Sequence, residues 1–152
     1  MMKTFLAAVV STLLLATAAQ AAEPVKIALI DPLSGPMASA GQPAYEHLKF
    51  AAERINANGG MNGHPVEIVG LDNKLSPQES LVQLQKAMDN GVDFITQGNG
   101  SAVASALIAR IVTPNRRNPG EERVVLNYAA VDPAFTNERC SFWHFRFDAN
   151  SA

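Results

Sequence analysis

Apolar runs and apolar stripes alternate along this chain. Residues 25–30 read Val-Lys-Ile-Ala-Leu-Ile, a short apolar run that predicts a strand. Beyond Gln42 the spacing changes: Ala44, Leu48, Ala51, Ala52 and Ile55 fall on one stripe of a 3.6-residue period, predicting a helix over 42–58. Gly59 follows as its C-cap, where glycine adopts a left-handed backbone at little cost. Met61-Asn62-Gly63-His64-Pro65 is turn chemistry, and Val-Glu-Ile-Val-Gly-Leu-Asp over 66–72 predicts a second strand.

The next helix carries its own start signal. Ser76-Pro77-Gln78-Glu79 reads as a capping box, with Ser76 at N-cap, Pro77 at N1 and Glu79 reaching back. Leu81, Leu84 and Met88 point to the core, and Gly91 ends the helix. A third strand is predicted over 92–96, a helix over 102–112 stopped by Thr113-Pro114, a polar loop over 115–123, and strands over 124–129 and 142–147. Strand and helix alternate throughout, so the expected fold class is α/β: a parallel, Rossmann-like sheet built from βαβ units with helices on both faces.

The first residues stand outside this pattern. Lys3, an apolar run over 5–18 broken only by Ser11, Thr12 and Thr17, and Ala19-Gln20-Ala21 make a secretory signal peptide over 1–21. The run is shorter than the roughly 20 residues of a spanning helix, and no cysteine marks a lipoprotein. Residues 22–152 are then an exported domain, expected in the periplasm. The net charge of −2, with no basic run beyond Arg116-Arg117, leaves no basis for a nucleic-acid partner. Cys140 is the single cysteine; it is either a buried thiol or half of a bridge whose partner lies outside this chain.

Ligands of open parallel sheets bind beyond the carboxyl ends of the strands, which directs attention to segments 31–41, 97–102 and 129–136. In Gln97-Gly98-Asn99-Gly100-Ser101, backbone N–H groups and a hydroxyl meet a helix N-terminus suited to a carboxylate or phosphate. Ser101 reads either as the N-cap of that helix or as a ligand hydroxyl, and the two roles are compatible. Dinucleotide and P-loop fingerprints are missing, so no cofactor is expected. His47, His64 and His144 lie on separate elements without metal-ligand spacing. Asp31 and Asp72 read as loop braces, and Asp93 sits at the opposite end of its strand. No serine lies in a G-x-S-x-G elbow and no Cys–His pair is suggested, so an enzyme is not expected.

Leu33-Ser34-Gly35-Pro36, the run from Ile55 to Gly63, Ser76-Pro77, Gly100-Ser101 and Ala129-Ala130 resemble, in order, the periplasmic solute-binding proteins of branched-chain amino acid type ABC transporters. The resemblance covers the whole exported portion. It implies a type I periplasmic-binding fold of two hinged lobes, of which residues 22–152 would supply an incomplete first lobe. It further implies a monomer that traps an amino acid or small carboxylate and docks on an inner-membrane ABC permease. Ser34, Ala40, Gly100, Ser101, Ala102, Ala129, Ala130 and Val131 would line the ligand site. The serine matching Ser101 holds the ligand's α-carboxylate in that family, and the backbone at Ala129 with the side chain at position 131 holds the charged end. Two substitutions alter the picture: Val131 stands where amino-acid binders carry threonine, and Ala40 where an aromatic residue packs on the ligand. Both widen the expected cargo toward other carboxylates, including aromatic acids. The family's small disulfide is replaced by Leu75 and Gly100. A ligand-sensing module of the same fold, such as an amide sensor or receptor ectodomain, is the alternative.

Overall fold

The computed structural model describes residues 22–151; the signal peptide expected over 1–21 lies outside the described residues. Five strands and three helices alternate: β1 Val25–Asp31, α1 Ala38–Ala57, β2 Val66–Asp72, α2 Pro77–Asp89, β3 Phe94–Gln97, α3 Ser101–Arg117, β4 Val124–Asn127, a short 3-10 turn Pro133–Thr136, and β5 His144–Arg146. All strand pairs are parallel, in the order β2-β1-β3-β4-β5. The chain therefore steps from β1 to β2 in one direction and then reverses, passing over β1 to reach β3. Because such crossovers keep one hand, the reversal places α1 on one face of the sheet and α2 and α3 on the other.

The main core lies under α2 and α3. Ala28, Ile30, Ile95 and Val125 project from the sheet to meet Leu84 and Ala87 of α2 and Val103, Leu107 and Ile111 of α3. The α1 face is less covered. Tyr45 of α1 packs over Gly70 of β2, where a Cβ would lie 2.9 Å from the ring. Toward β4 the same face opens into a cavity of about 400 Å³ lined by Ile27, Leu48, Leu126, Tyr128 and Phe147. Of the stripe expected on α1, Ala52 is buried, but Ile55 is 38% exposed.

Several boundaries differ from the sequence expectation for identifiable reasons. Helix α1 begins at Ala38 rather than Gln42 and carries Pro43 inside it; Gly41 makes this early start possible, since a Cβ there would sit 2.1 Å from the Pro32 carbonyl oxygen. Its C-cap is Asn58, with Gly59 one residue beyond at φ +95°, and the Gly60 and Gly59 N–H groups donate to Ile55 and Asn56, a Schellman closure. The Ser76 hydroxyl accepts from the Glu79 N–H (3.2 Å), but Glu79 turns its carboxylate to Gln83. The Ser76 N–H already donates to Asn73, so the reciprocal half of the box has no open donor.

Helix α3 starts at Ser101 and runs through Pro114 to Arg117. Asn115 holds that extra turn: buried, it donates to the Arg123 carbonyl and accepts from the Arg123 N–H (2.8 and 3.0 Å). Strand β5 is confined to His144–Arg146, leaving Phe142 and Phe147 exposed outside it. Cys140 is exposed, which corrects the buried-thiol reading: it sits in the connection after the 3-10 turn, at a recess it lines with Ser105 and Ile108 of α3.

Candidate ligand-binding site

Strands β1, β3 and β4 are neighbours, and each ends in a buried polar residue: Asp31, Gln97 and Asn127, all at 0% exposure. Each polar end organises the loop that follows. The Asp31 carboxylate crosses to the loop after β3, where it accepts the Gly98 and Asn99 N–H groups (3.4 and 3.0 Å), and it also accepts the Tyr128 hydroxyl from the loop after β4. Gln97 Nε2 donates to the Asn99 and Gly100 carbonyls (2.7 and 3.4 Å). Asn127 folds over its own loop, accepting the Ala129 and Ala130 N–H groups and donating to the Ala130 carbonyl. The three loops that form the carboxyl edge are thus held by side chains from the strands below them.

A second brace stands at the β1–β2 side. Asp72 accepts the Leu33 N–H (2.9 Å), the Ser34 hydroxyl (2.5 Å) and the Lys74 N–H (3.0 Å). Burial pushes the Asp72 carboxyl up, but hydrogen bonds from Ser34, Lys74 and Leu33 outweigh it and hold the group below the usual carboxylate range. Asp31 goes the other way: its burial outweighs the hydrogen bonds from Tyr128, Asn99 and Gly98 and raises it. Burial, the hydrogen bond to Asp31 and the Asp31 charge raise Tyr128 far above its ordinary value, so the phenol keeps its proton.

The sequence-derived residues take the following places. Ser34 is exposed on the β1–α1 loop with its proton committed to Asp72. Ala40 is half-buried in the first turn of α1. Gly100 is the N-cap of α3 at φ +94°, a backbone that favours glycine, so Ser101 is the first helical residue rather than the cap. Ala102 is exposed in the same turn and Ala129 half-buried. Val131 is 40% exposed, and its carbonyl accepts from Ser151 (3.1 Å). Ala130 stands apart: it is buried, and both its N–H and its carbonyl are taken by Asn127. Leu75 and Gly100, paired by resemblance alone, do meet; a Cβ on Gly100 would lie 3.1 Å from Leu75 Cδ1. Leu75 holds a left-handed backbone at φ +58°, fixed by the buried Asn73 side chain (2.9 Å to its N–H). Between the loops after β1 and β2 lies a cavity of about 410 Å³ lined by Ser34, Pro36, Met37, Lys74 and Leu75; the 98–101 turn and the loop after β4 do not line it.

Helix α3 opens on this edge without a capping side chain and without an acidic residue in its first turn. The same is true of α1, whereas α2 is capped by Ser76 and has Glu79 in its first turn. Uncapped N–H groups and the helix dipole attract an anion. Among the described residues no three His, Cys, Asp or Glu side chains are grouped as metal ligands. Sequence reasoning missed Tyr128, Asn127 and Asn73, and it named Gln97 and Asn99 as members of the turn without a role for their side chains. The signal that finds three of them is a polar residue closing an apolar strand or beginning the loop behind it.

A sequence model of the family described as periplasmic binding protein matches residues 24–152. The chain belongs to that family. Over 154 aligned residues it is 38% identical to the Leu/Ile/Val-binding protein homolog 4 of Brucella abortus (strain 2308), covering 99% of this chain and 37% of the relative. The closed crystal structure of a leucine-, isoleucine-, valine-, threonine- and alanine-binding protein from Brucella ovis superposes with a TM-score of 0.79 at 38% identity, over 85% of this chain and 33% of that one. A branched-chain amino acid transporter substrate-binding protein of Streptococcus pneumoniae, solved with isoleucine, shares the fold at a TM-score of 0.68 and 20% identity. The chain therefore spans about a third of the length of these relatives, and its parallel α/β sheet is the sheet they share.

Proposed function

We propose that residues 22–152 form the leading part of the first lobe of a two-lobed periplasmic protein that binds a branched-chain amino acid or a related small carboxylate, aromatic acids included. The protein would pass its cargo to an inner-membrane ABC permease. The observation that carries this reading is the open N-terminus of α3 at the carboxyl edge, with Ser101 in its first turn and no side chain capping it. A carboxylate there would gain N–H donors, a hydroxyl and the dipole of a 17-residue helix. The names of the Brucella relatives support an amino-acid cargo. Val131 supplies no hydroxyl for an ammonium group, and Ala40 leaves the adjoining wall small, which favours a bulky carboxylate over a strictly leucine-like one. The reading needs no covalent chemistry.

A thermal-shift screen of the complete protein against aliphatic and aromatic amino acids, simple aromatic acids and their amides tests it, because a ligand held only by the folded state raises its stability. The expected hits carry a carboxylate. Stabilisation by the amides, with none by the matching acids, would overturn the carboxylate reading.

A further inference from the structure

A buried acid and a phenol stand beneath the turn that leads into α3, and a carboxylate cargo would touch neither. Asp31 is fully buried at the end of β1 and spends its oxygens on the Gly98 N–H, the Asn99 N–H and the Tyr128 hydroxyl. Tyr128 arrives from the loop after β4, and its hydroxyl also accepts from Asn99 Nδ2 (3.1 Å). The phenol reaches that far because its ring lies across Gly98, where a Cβ would come within 2.3 Å of it. Three strand ends are joined here by a single carboxylate, and the backbone it grips is the one that delivers Gly100 and Ser101.

The arrangement is costly, and its cost argues for a purpose. A buried carboxylate is stable only when its hydrogen bonds are made, and burial already raises the Asp31 pKa. An apolar residue at the end of β1 would fill the space without that penalty, but it could not orient two successive N–H groups. A negative charge beneath an anion site adds to that cost, because it opposes an anionic ligand. The Tyr128 hydroxyl adds a third donor, on the other carboxylate oxygen, to the two N–H groups of the turn.

We propose that Asp31 and Tyr128 are positioning residues for ligand binding: together they set the 98–101 turn so that Ser101 and the first N–H groups of α3 meet a carboxylate. This rests on the reading of Ser101 given above. The test is carried out on the complete protein, with L-leucine and benzoate as probes in calorimetry and hydrogen exchange followed at the Gly98 and Asn99 amides. Tyr128→Phe keeps the ring over Gly98 and removes only the hydroxyl. It should weaken the bound probe roughly tenfold, about the loss of one hydrogen bond to a charged group, and speed exchange at both amides. Asp31→Asn, which retains an acceptor oxygen for them, should stay within about threefold of the parent protein, while Asp31→Leu should bind at least tenfold more weakly.

A fall in melting temperature with unchanged affinity and unchanged exchange in Tyr128→Phe would overturn the proposal, leaving the pair a purely structural contact. If the parent protein binds neither probe, the carboxylate reading fails for them, and the exchange rates decide the positioning claim by themselves. Faster Gly98 and Asn99 exchange in Tyr128→Phe then supports it, and parent-like rates refute it.

Discussion

Asp31 and Asp72 end neighbouring strands as register partners, yet they respond to pH in opposite senses. Asp72 is held below its ordinary value, so its contribution to stability is present above the unfolded carboxylate range, near pH 3.9, and is lost as pH falls through the lower folded value. Asp72→Ala should cost about 1–3 kcal/mol in urea unfolding at neutral pH, since Leu33, Ser34 and Lys74 lose an acceptor, and the loss should shrink in acid. An identical loss at pH 7 and pH 3 would contradict that assignment. Asp31 is raised, so its contribution is greatest in acid and declines as pH rises through its folded value. His144 is buried and lowered, by burial and by the Arg146 charge against the Phe135 carbonyl. Its neutral form is therefore favoured in the fold, and stability should fall as pH drops below about 6.5. Urea midpoints between pH 7 and pH 5 measure this, and His144→Gln should flatten the slope. At this scale the bracing role of both aspartates is legible, because a carboxylate closing an apolar strand has few other uses. Tyr128 is not legible: it reads as one more strand residue until strand order brings it to an acid 97 positions earlier.

At the scale of elements, the alternation of runs and stripes was enough to find every strand and every long helix. The ends were harder, because tertiary contacts override local punctuation. Thr113-Pro114 reads as a stop, but α3 continues because Asn115 pairs with both backbone groups of Arg123. Asn115→Ala should cost about 1–3 kcal/mol by leaving those partly buried groups unpaired; thermal unfolding checks it, and an unchanged midpoint would mean that Pro114 is carried by something else. The start of α1 was hidden for a similar reason. Gly41 is needed for close approach to Pro32, which local propensity counts only as a weak helix former. Ser101 shows the same limit within the site: its place in the turn was evident, but its shift from N-cap to first helical residue depends on the left-handed backbone of Gly100.

At the scale of the whole molecule, one reversal of direction in the sheet fixes the layers and brings the loops after β1, β3 and β4 side by side. That much follows from strand order and crossover hand; the hand was implicit in the alternation, but the order was not, because an alternating chain is compatible with more than one order. The partial cover of the α1 face, with Phe145 and Phe147 51% and 71% exposed, was not, since it depends on which strands α1 reaches. With little more than a third of its relatives' length present, the chain should provide one wall of the proposed cleft. Residues 22–152 alone should therefore bind L-leucine or benzoate too weakly for calorimetry, and micromolar binding would contradict the two-lobed account. The most direct measurement of the central claim compares the complete protein with its Ser101→Ala variant by calorimetry, using whichever carboxylate the parent binds. The account predicts a loss of about 1.5–3 kcal/mol, the range for a hydrogen bond to a charged group. An unchanged dissociation constant would contradict it and leave Ser101 as nothing more than the first residue of α3.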